Sequence, residues 1–198
     1  MKKVFIIYIL LLIPFSFKSM EFKESEKLCK KGKHYMGELY GGGVIFYLYT
    51  DNKGIEHGLI ASVTDQCTSC LWGFYDVNVP NCGSSWNGAK NTKAYMDAGG
   101  VLSGAAGVCS VYEYGGFSDW YLPSIDELNL LFNSRYIINK VLEEDGDPST
   151  DGVKQKYYWS SSQYSPPHAW YWNAGAGIAD DGSKNNLPSS HVRAIRSF

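Results

Sequence analysis

One stretch, Gly115 to Phe132 (GGFSDWYLPSIDELNLLF), constrains the fold of this chain more than any other. Gly115 and Gly116 open a turn, and Asp119 leads into three large apolar residues, Trp120, Tyr121 and Leu122. Pro123 lacks the N–H that a ladder needs, so a strand ends there. Ser124 with Glu127 three residues on has the form of a capping box, in which each side chain satisfies a free backbone N–H at a helix start. Ile125, Leu128, Leu131 and Phe132 then recur at helical spacing and supply one buried face. The stretch therefore predicts an aromatic strand end locked onto a capped amphipathic helix. It reads as a folding nucleus, not as a catalytic motif.

The rest of the chain supplies strands around that nucleus. Gly41-Gly42-Gly43 marks a turn before a strand over 44–49, and Asp51 to Gly54 turns the chain into a second strand, Gly58 to Val63. Residues 64–86 show no period and read as an ordered loop held by cross-links. A helix is expected from Asn87 to Met96, closed by Gly99 and Gly100. Ser124 opens the next helix, and Ile137, Ile138, Val141 and Leu142 suggest a short third one, broken by Asp145-Gly146-Asp147-Pro148. Strands follow at Tyr157–Ser161, Ala169–Asn173 and His191–Phe198, with a turn at Asp180–Ser183. This order predicts an α+β fold, two or three helices packed on antiparallel strands with long loops.

Lys2-Lys3 and the apolar run Val4 to Ile13 give residues 1–19 the form of a signal peptide or N-terminal anchor. The run is shorter than the ~20 apolar residues that span a bilayer. Residues 20–35 read as a flexible lead-in and 36–198 as a single domain. Export places the chain in the periplasm, at the cell surface or outside the cell. Removing Lys2, Lys3 and Lys18 leaves 15 basic against 20 acidic residues, a net charge of −5. That charge argues against nucleic acid and anionic membranes as partners.

Five cysteines stand at 29, 67, 70, 82 and 109. In an oxidising compartment disulfides are the expected use, and an odd count leaves one over. Spacing leaves the connectivity open. The expected pairs are Cys67–Cys70 as a tight local bridge and Cys82–Cys109 as a longer staple worth about 3 kcal/mol. Zinc is not expected, because Cys67-x-x-Cys70 is half of a four-cysteine site with no second pair.

Several pieces carry a resemblance. They are Gly42-Gly43 with Phe46, His57 to Ala61, Asp65-Gln66, Trp72-Gly73, Asn91-Thr92, Gly116 to Glu127, Tyr158 to Ser162 and Val192 to Phe198. In this order they resemble the signature of the C-terminal domain of the Legionella collagen-like adhesins, over residues 36–198. The resemblance implies a C-type-lectin-like fold and, in adhesin members, binding of sulfated polysaccharides. The chain departs from it at Phe74, where many members carry a cysteine, and it carries no collagen-like Gly-X-Y tract. Its net negative charge runs against direct transfer of the sulfated ligand.

No catalytic set is expected. Histidines 34, 57, 168 and 191 lie outside any recognisable nucleophile context, and there is no G-x-S-x-G. The implied fold also hosts formylglycine-generating enzymes, which use a cysteine pair near the chain end, and this chain has no cysteine beyond 109. No cofactor or metal is expected either. The acidic loop Asp145 to Gly152 offers hard oxygens, but it lacks the closing glutamate of an EF-hand loop and Pro148 interrupts it. The Glu-Pro-Asn and Gln-Pro-Asp motifs of calcium-dependent lectins are missing too.

The remaining constellation is aromatic: Trp159, Tyr164, Trp170, Tyr171 and Trp172 within fourteen residues. In a strand, Trp170 and Trp172 share one face. If outward, they form a stacking platform for sugar rings with Asn173, Asp180 and Asp181 as polar partners; core placement of one or both rings is the competing reading. The expected function is a non-enzymatic exported recognition module that binds a glycan or a protein partner at the cell surface, with homo-oligomers open to it. The alternative is a structural subunit of a surface appendage or envelope assembly.

Overall fold

Glycine decides where the chain first reverses. Gly41 and Gly42 both hold positive φ (58° and 83°), the backbone that a two-residue hairpin turn demands. They join β1 (Leu39–Tyr40) to β2 (Gly43–Thr50). The computed structural model describes residues 33–187 and 189–198. The expected leader over 1–19, most of the lead-in and Cys29 lie outside the described residues.

Asp51 shapes the next turn, its Oδ1 accepting from Lys53 N and Ile55 N at 2.9 Å each. β3 (Glu56–Ser62) then returns antiparallel to β2. The register shifts between Ile45 and Tyr47, so both Phe46 and Tyr47 turn toward the same core. β8 (Ile195–Ser197) pairs with β3 and completes a four-stranded sheet in the order β1-β2-β3-β8. The Phe198 ring thereby meets His34 and Tyr40, with centroids 5.1 and 5.3 Å apart.

A second sheet holds β4 (Tyr157–Gln163), β5 (His168–Asn173), β6 (Ile178–Ser183) and β7 (Ser190–His191) in the order β6-β5-β4-β7. Only β4 and β7 run parallel in it. Two expectations are corrected here. Asp180–Ser183 is strand, not turn, because Asp180 and Asp181 pair directly with Tyr171 and Trp170. The reversal falls earlier, where Gly177 holds φ 71° and donates to Asn173 O at 2.8 Å. The expected final strand is likewise two short ones, β7 and β8, in different sheets.

Among the described residues four helices lie against these sheets: α1 (Gly88–Asp97), α2 (Ala105–Ser110), α3 (Ile125–Asn133) and α4 (Arg135–Glu144). The expectation of two or three missed α2. Its six residues, Ala-Ala-Gly-Val-Cys-Ser, carry no amphipathic period, and burial of Ala105, Ala106 and Cys109 holds them. The capping box of α3 is present in full, with Ser124 N donating to Glu127 Oε2 at 2.8 Å and Ser124 Oγ accepting from Glu127 N. Glu127 does more than its motif requires. It also accepts from Gly88 N at 3.0 Å and Tyr121 OH at 3.1 Å, so one carboxylate joins the starts of α1 and α3. Burial holds that carboxyl above its ordinary range even against those donors. No helix among the described residues is long and apolar enough to cross a membrane.

The packed interior forms two clusters. One gathers Ile45, Trp72, Tyr95, Trp120 and Trp159; the other gathers Phe46, Leu128, Leu131, Ile138 and Tyr158. Cys67 and Cys70 form the expected disulfide. The staple Cys82–Cys109 does not form: both thiols are free and buried. Cys82 Sγ instead donates toward Asn91 O and Ser161 O at 3.4 Å, and burial pushes its thiol up to about 12. Cys109 is packed within the first cluster.

Polar groups close the structure where strands do not. Asp65 accepts from Arg193 Nε (2.6 Å), His191 Nδ1 (2.6 Å) and Tyr158 OH (2.9 Å). Arg193 is buried and spends its other donors on Ser62 O and Asp151 O, each at 2.8 Å. A second arginine, Arg196, grips Asp119 through Nε and Nη2 (2.6 and 2.9 Å) and lies 3.8 Å over the Phe117 ring. That guanidinium holds the Asp119 carboxyl below its ordinary range.

Two substitutions should separate these devices in chemical unfolding. Ser124→Ala removes the bond accepted from Glu127 N and the bond donated to Glu127 Oε2, and should cost about 1–2 kcal/mol. Arg193→Ala strands a buried carboxylate and should cost about 3–5 kcal/mol. Equal costs for the two would contradict a dominant role for the Asp65 network.

Candidate functional site

The exposed aromatic surface sits where β4 turns into β5. Tyr164 N and Ser165 N donate to His168 O (3.1 and 3.0 Å), and His168 N returns to Ser165 O at 3.2 Å. Pro166 and Pro167 stiffen the turn between them. Lys184 braces it from beneath. Its buried ammonium donates to Pro166 O (2.7 Å), Gln163 Oε1 (2.8 Å) and Val77 O (3.1 Å), and lies 4.5 Å over the Trp72 ring. Its own N–H donates to Pro167 O at 2.9 Å. Burial pushes this ammonium down to about 8.

Above that brace, register sets the site. Trp170 stands directly opposite Asp181, and His168 opposite Ser183, so all four share one face. Tyr164 meets the Trp170 ring edge-on, with centroids 5.1 Å apart. Asp181 Oδ2 accepts from His168 Nδ1 at 2.7 Å. A carboxylate has no proton to give, so Nδ1 carries the hydrogen and Nε2 of the neutral ring is an acceptor. Tyr164 is 55% exposed, and the side chains of His168 and Asp181 are 42% and 30% exposed. Two rings, a carboxylate and an imidazole acceptor thus share one patch. Such a patch can stack on an apolar ring face and accept from hydroxyl groups.

The structure divides the five residues expected in a ligand surface. Trp170 and Asp181 come together. Trp172 shares their strand face, as alternation requires, but α3 covers that end of it. Its ring is buried and stacks on Phe132 at 5.5 Å and 21°. Trp172 as part of a platform is therefore corrected to a core residue. Asn173 Oδ1 accepts from Ala176 N at 3.1 Å and shapes the turn into β6. Asp180 lies on the other face and accepts from Tyr171 OH at 3.0 Å; burial, reinforced by that bond, pushes the phenol up to about 12.

His168 was read only as lying outside a nucleophile context, and its alternation with Trp170 was the signal that could have placed it on this face. Trp86 went unnoticed. It is 72% exposed on a loop tied to the end of β4 by Gln163 N→Cys82 O and Ser162 Oγ→Ser84 O, both 2.7 Å.

In the acidic loop at 145–151, Asp145 and Asp147 turn their carboxylates onto the loop's own backbone, and Asp151 pairs with Lys154. Asp145 Oδ1 accepts from Asp147 N at 2.8 Å, and Asp147 Oδ1 accepts from Ser149 N and Oγ at 2.9 and 2.6 Å. Those Ser149 bonds hold the Asp147 carboxyl below its ordinary range. Among the described residues no group of three or more His, Cys, Asp or Glu gathers to hold a metal ion.

The model of one protein family, the Lcl C-terminal domain, matches residues 61–196. No curated protein matches the chain. Among solved structures, a fimbrial protein from Bacteroides ovatus is similar over 83% of this chain, with a TM-score of 0.54 and 13% sequence identity. The chain spans 45% of that protein.

The Lys184 brace gives a pH prediction. The folded domain releases this proton near pH 8 and the unfolded chain near 10.5. Between those values the unfolded chain binds more protons, so this lysine makes stability rise with pH. Unfolding midpoints of Lys184→Met across that window should lack the part of the rise that wild type shows. Parallel curves for the two proteins would contradict the assignment.

Proposed function

The chain belongs to the Lcl C-terminal domain family, and on that premise we propose a surface-associated recognition module that binds glycan through the face of Trp170 and Asp181. The observation that carries this reading is the register pair Trp170–Asp181, flanked by His168 and edged by Tyr164. An indole face suits the C–H face of a sugar ring, and Asp181 with His168 Nε2 suits its hydroxyls. None of the four residues is a lysine or arginine, so the preferred glycan is neutral, not sulfated. The reading is non-catalytic, because Ser183, the one hydroxyl opposite His168 on this face, donates to Asn185 Oδ1 at 2.8 Å and not to the imidazole.

An exported, cell-surface location follows from the same reading. So does a C-type-lectin-like classification of the fold, which is supported by β1 and β8 in one sheet and by the long loop 64–86. A second reading, a subunit of a surface assembly, draws on the likeness to the fimbrial protein.

A screen of neutral and sulfated glycans tests the proposal. Trp170→Ala should weaken binding by about tenfold or more, the scale of one lost stacking ring, with an unfolding midpoint close to wild type. Trp172→Ala should instead lower stability by about 3–5 kcal/mol. Undiminished binding by Trp170→Ala, or binding confined to sulfated glycans, would overturn this assignment.

A further inference from the structure

The Cys67–Cys70 disulfide closes a loop of two intervening residues, so it constrains the unfolded chain little. Nor does the folded segment depend on it for position. Val192 N donates to Cys67 O (2.9 Å), Gln66 N to Val192 O (2.8 Å) and Cys70 N to Ser190 O (3.1 Å). Trp159 Nε1 donates to Cys70 O at 3.0 Å, and Trp72 N donates to Lys184 O at 2.9 Å just beyond. Backbone on both sides of the bond is thus held by the C-terminal segment and by a core indole. A cross-link that is redundant for the fold is free to open and close.

Its placement suits exchange. Both cysteines line a groove of about 660 Å³ together with Leu71, Phe74, Val101 and Val108, so one side of the bond faces open space. The two ends differ: Cys67 is partly exposed and Cys70 is buried. Cys82 and Cys109 do not compete, since both are buried and burial raises both thiols.

We infer that Cys67–Cys70 is an exchange-active disulfide that forms a mixed disulfide with a thiol-bearing partner at Cys67. In the step, a partner thiolate attacks Cys67 Sγ and a new S–S bond forms. The Cys67–Cys70 bond breaks, and its electron pair passes to Cys70 Sγ, which takes up the proton that the partner thiol released. The disulfide is the oxidant and the thiol the reductant, so no further redox partner is required.

The test uses the full chain with reduced glutathione and, separately, a short peptide bearing one cysteine between leucines. After acid quenching and peptide mapping, the expected product is one adduct on Cys67 with Cys70 free and the near-ultraviolet circular dichroism unchanged. Faster reaction of the peptide would assign the partner as an apolar polypeptide, and equal or faster reaction of glutathione as a small thiol. With oxidised glutathione, Cys70→Ser should react at Cys67 at least about tenfold faster than Cys67→Ser reacts at Cys70, since access governs exchange. A bond that opens only in denaturant, an adduct on Cys70, or equal rates for the two variants would overturn the inference.

Discussion

A buried carboxylate organises this domain. Asp65 lies just beyond β3 and draws in Arg193 and His191 from the C-terminal segment and Tyr158 from β4. Two sheets and the loop at Asp151 therefore meet at one charge. A carboxylate out of water is costly unless donors surround it, and three surround this one. Short backbone bridges follow the same line, with Ser62 N donating to Ala194 O and Asp151 N to Val63 O (3.0 and 2.8 Å). The long loop that starts at Thr64 owes its order to these anchors more than to any period of its own.

This gives the family resemblance a physical content. Asp65, Gln66, Tyr158, Arg193 and Ala194 all fall in the pieces that carry it, and all join this network, Gln66 by accepting from Ala194 N. Trp72 donates to Ser160 O and Asn91 to Ser161 Oγ, two further pieces locked together inside the molecule. These residues are chiefly scaffold. Tyr164, His168, Trp170 and Asp181 lie outside those pieces, on a turn and an edge hairpin that the scaffold holds up. Loops carried by a rigid frame are the common arrangement for a binding surface, which is the role proposed for this patch, and Lys184 ties its turn to the frame.

How much of this was legible in the residues depended on whether the signal was local. The Ser124–Glu127 box, the Gly41-Gly42 turn and the Cys67–Cys70 bridge involve neighbours a few positions apart, and each formed as read. What failed was set by distant partners. Asp180-Asp181-Gly182-Ser183 has turn composition, yet pairing with β5 draws it into a strand. Trp170 and Trp172 have the same alternation, and only the position of α3 decides that one is buried and the other partly exposed. The Cys82 thiol finds two carbonyl acceptors instead of Cys109 because packing, not spacing, placed it. α2 had no signal at all beyond small residues that fit a crowded interior.

The central claim is that the Asp65 network and the C-terminal segment form one cooperative unit with the sheets. Native-state hydrogen exchange of the amides of Gln66, Asp151, Val192 and Ala194 tests it most directly. If the account is right, these four exchange with the same free energy as core amides of β2 and β3, through global unfolding alone. Exchange by a lower-energy local opening, with β2 and β3 still protected, would show the network to be a peripheral latch and contradict it.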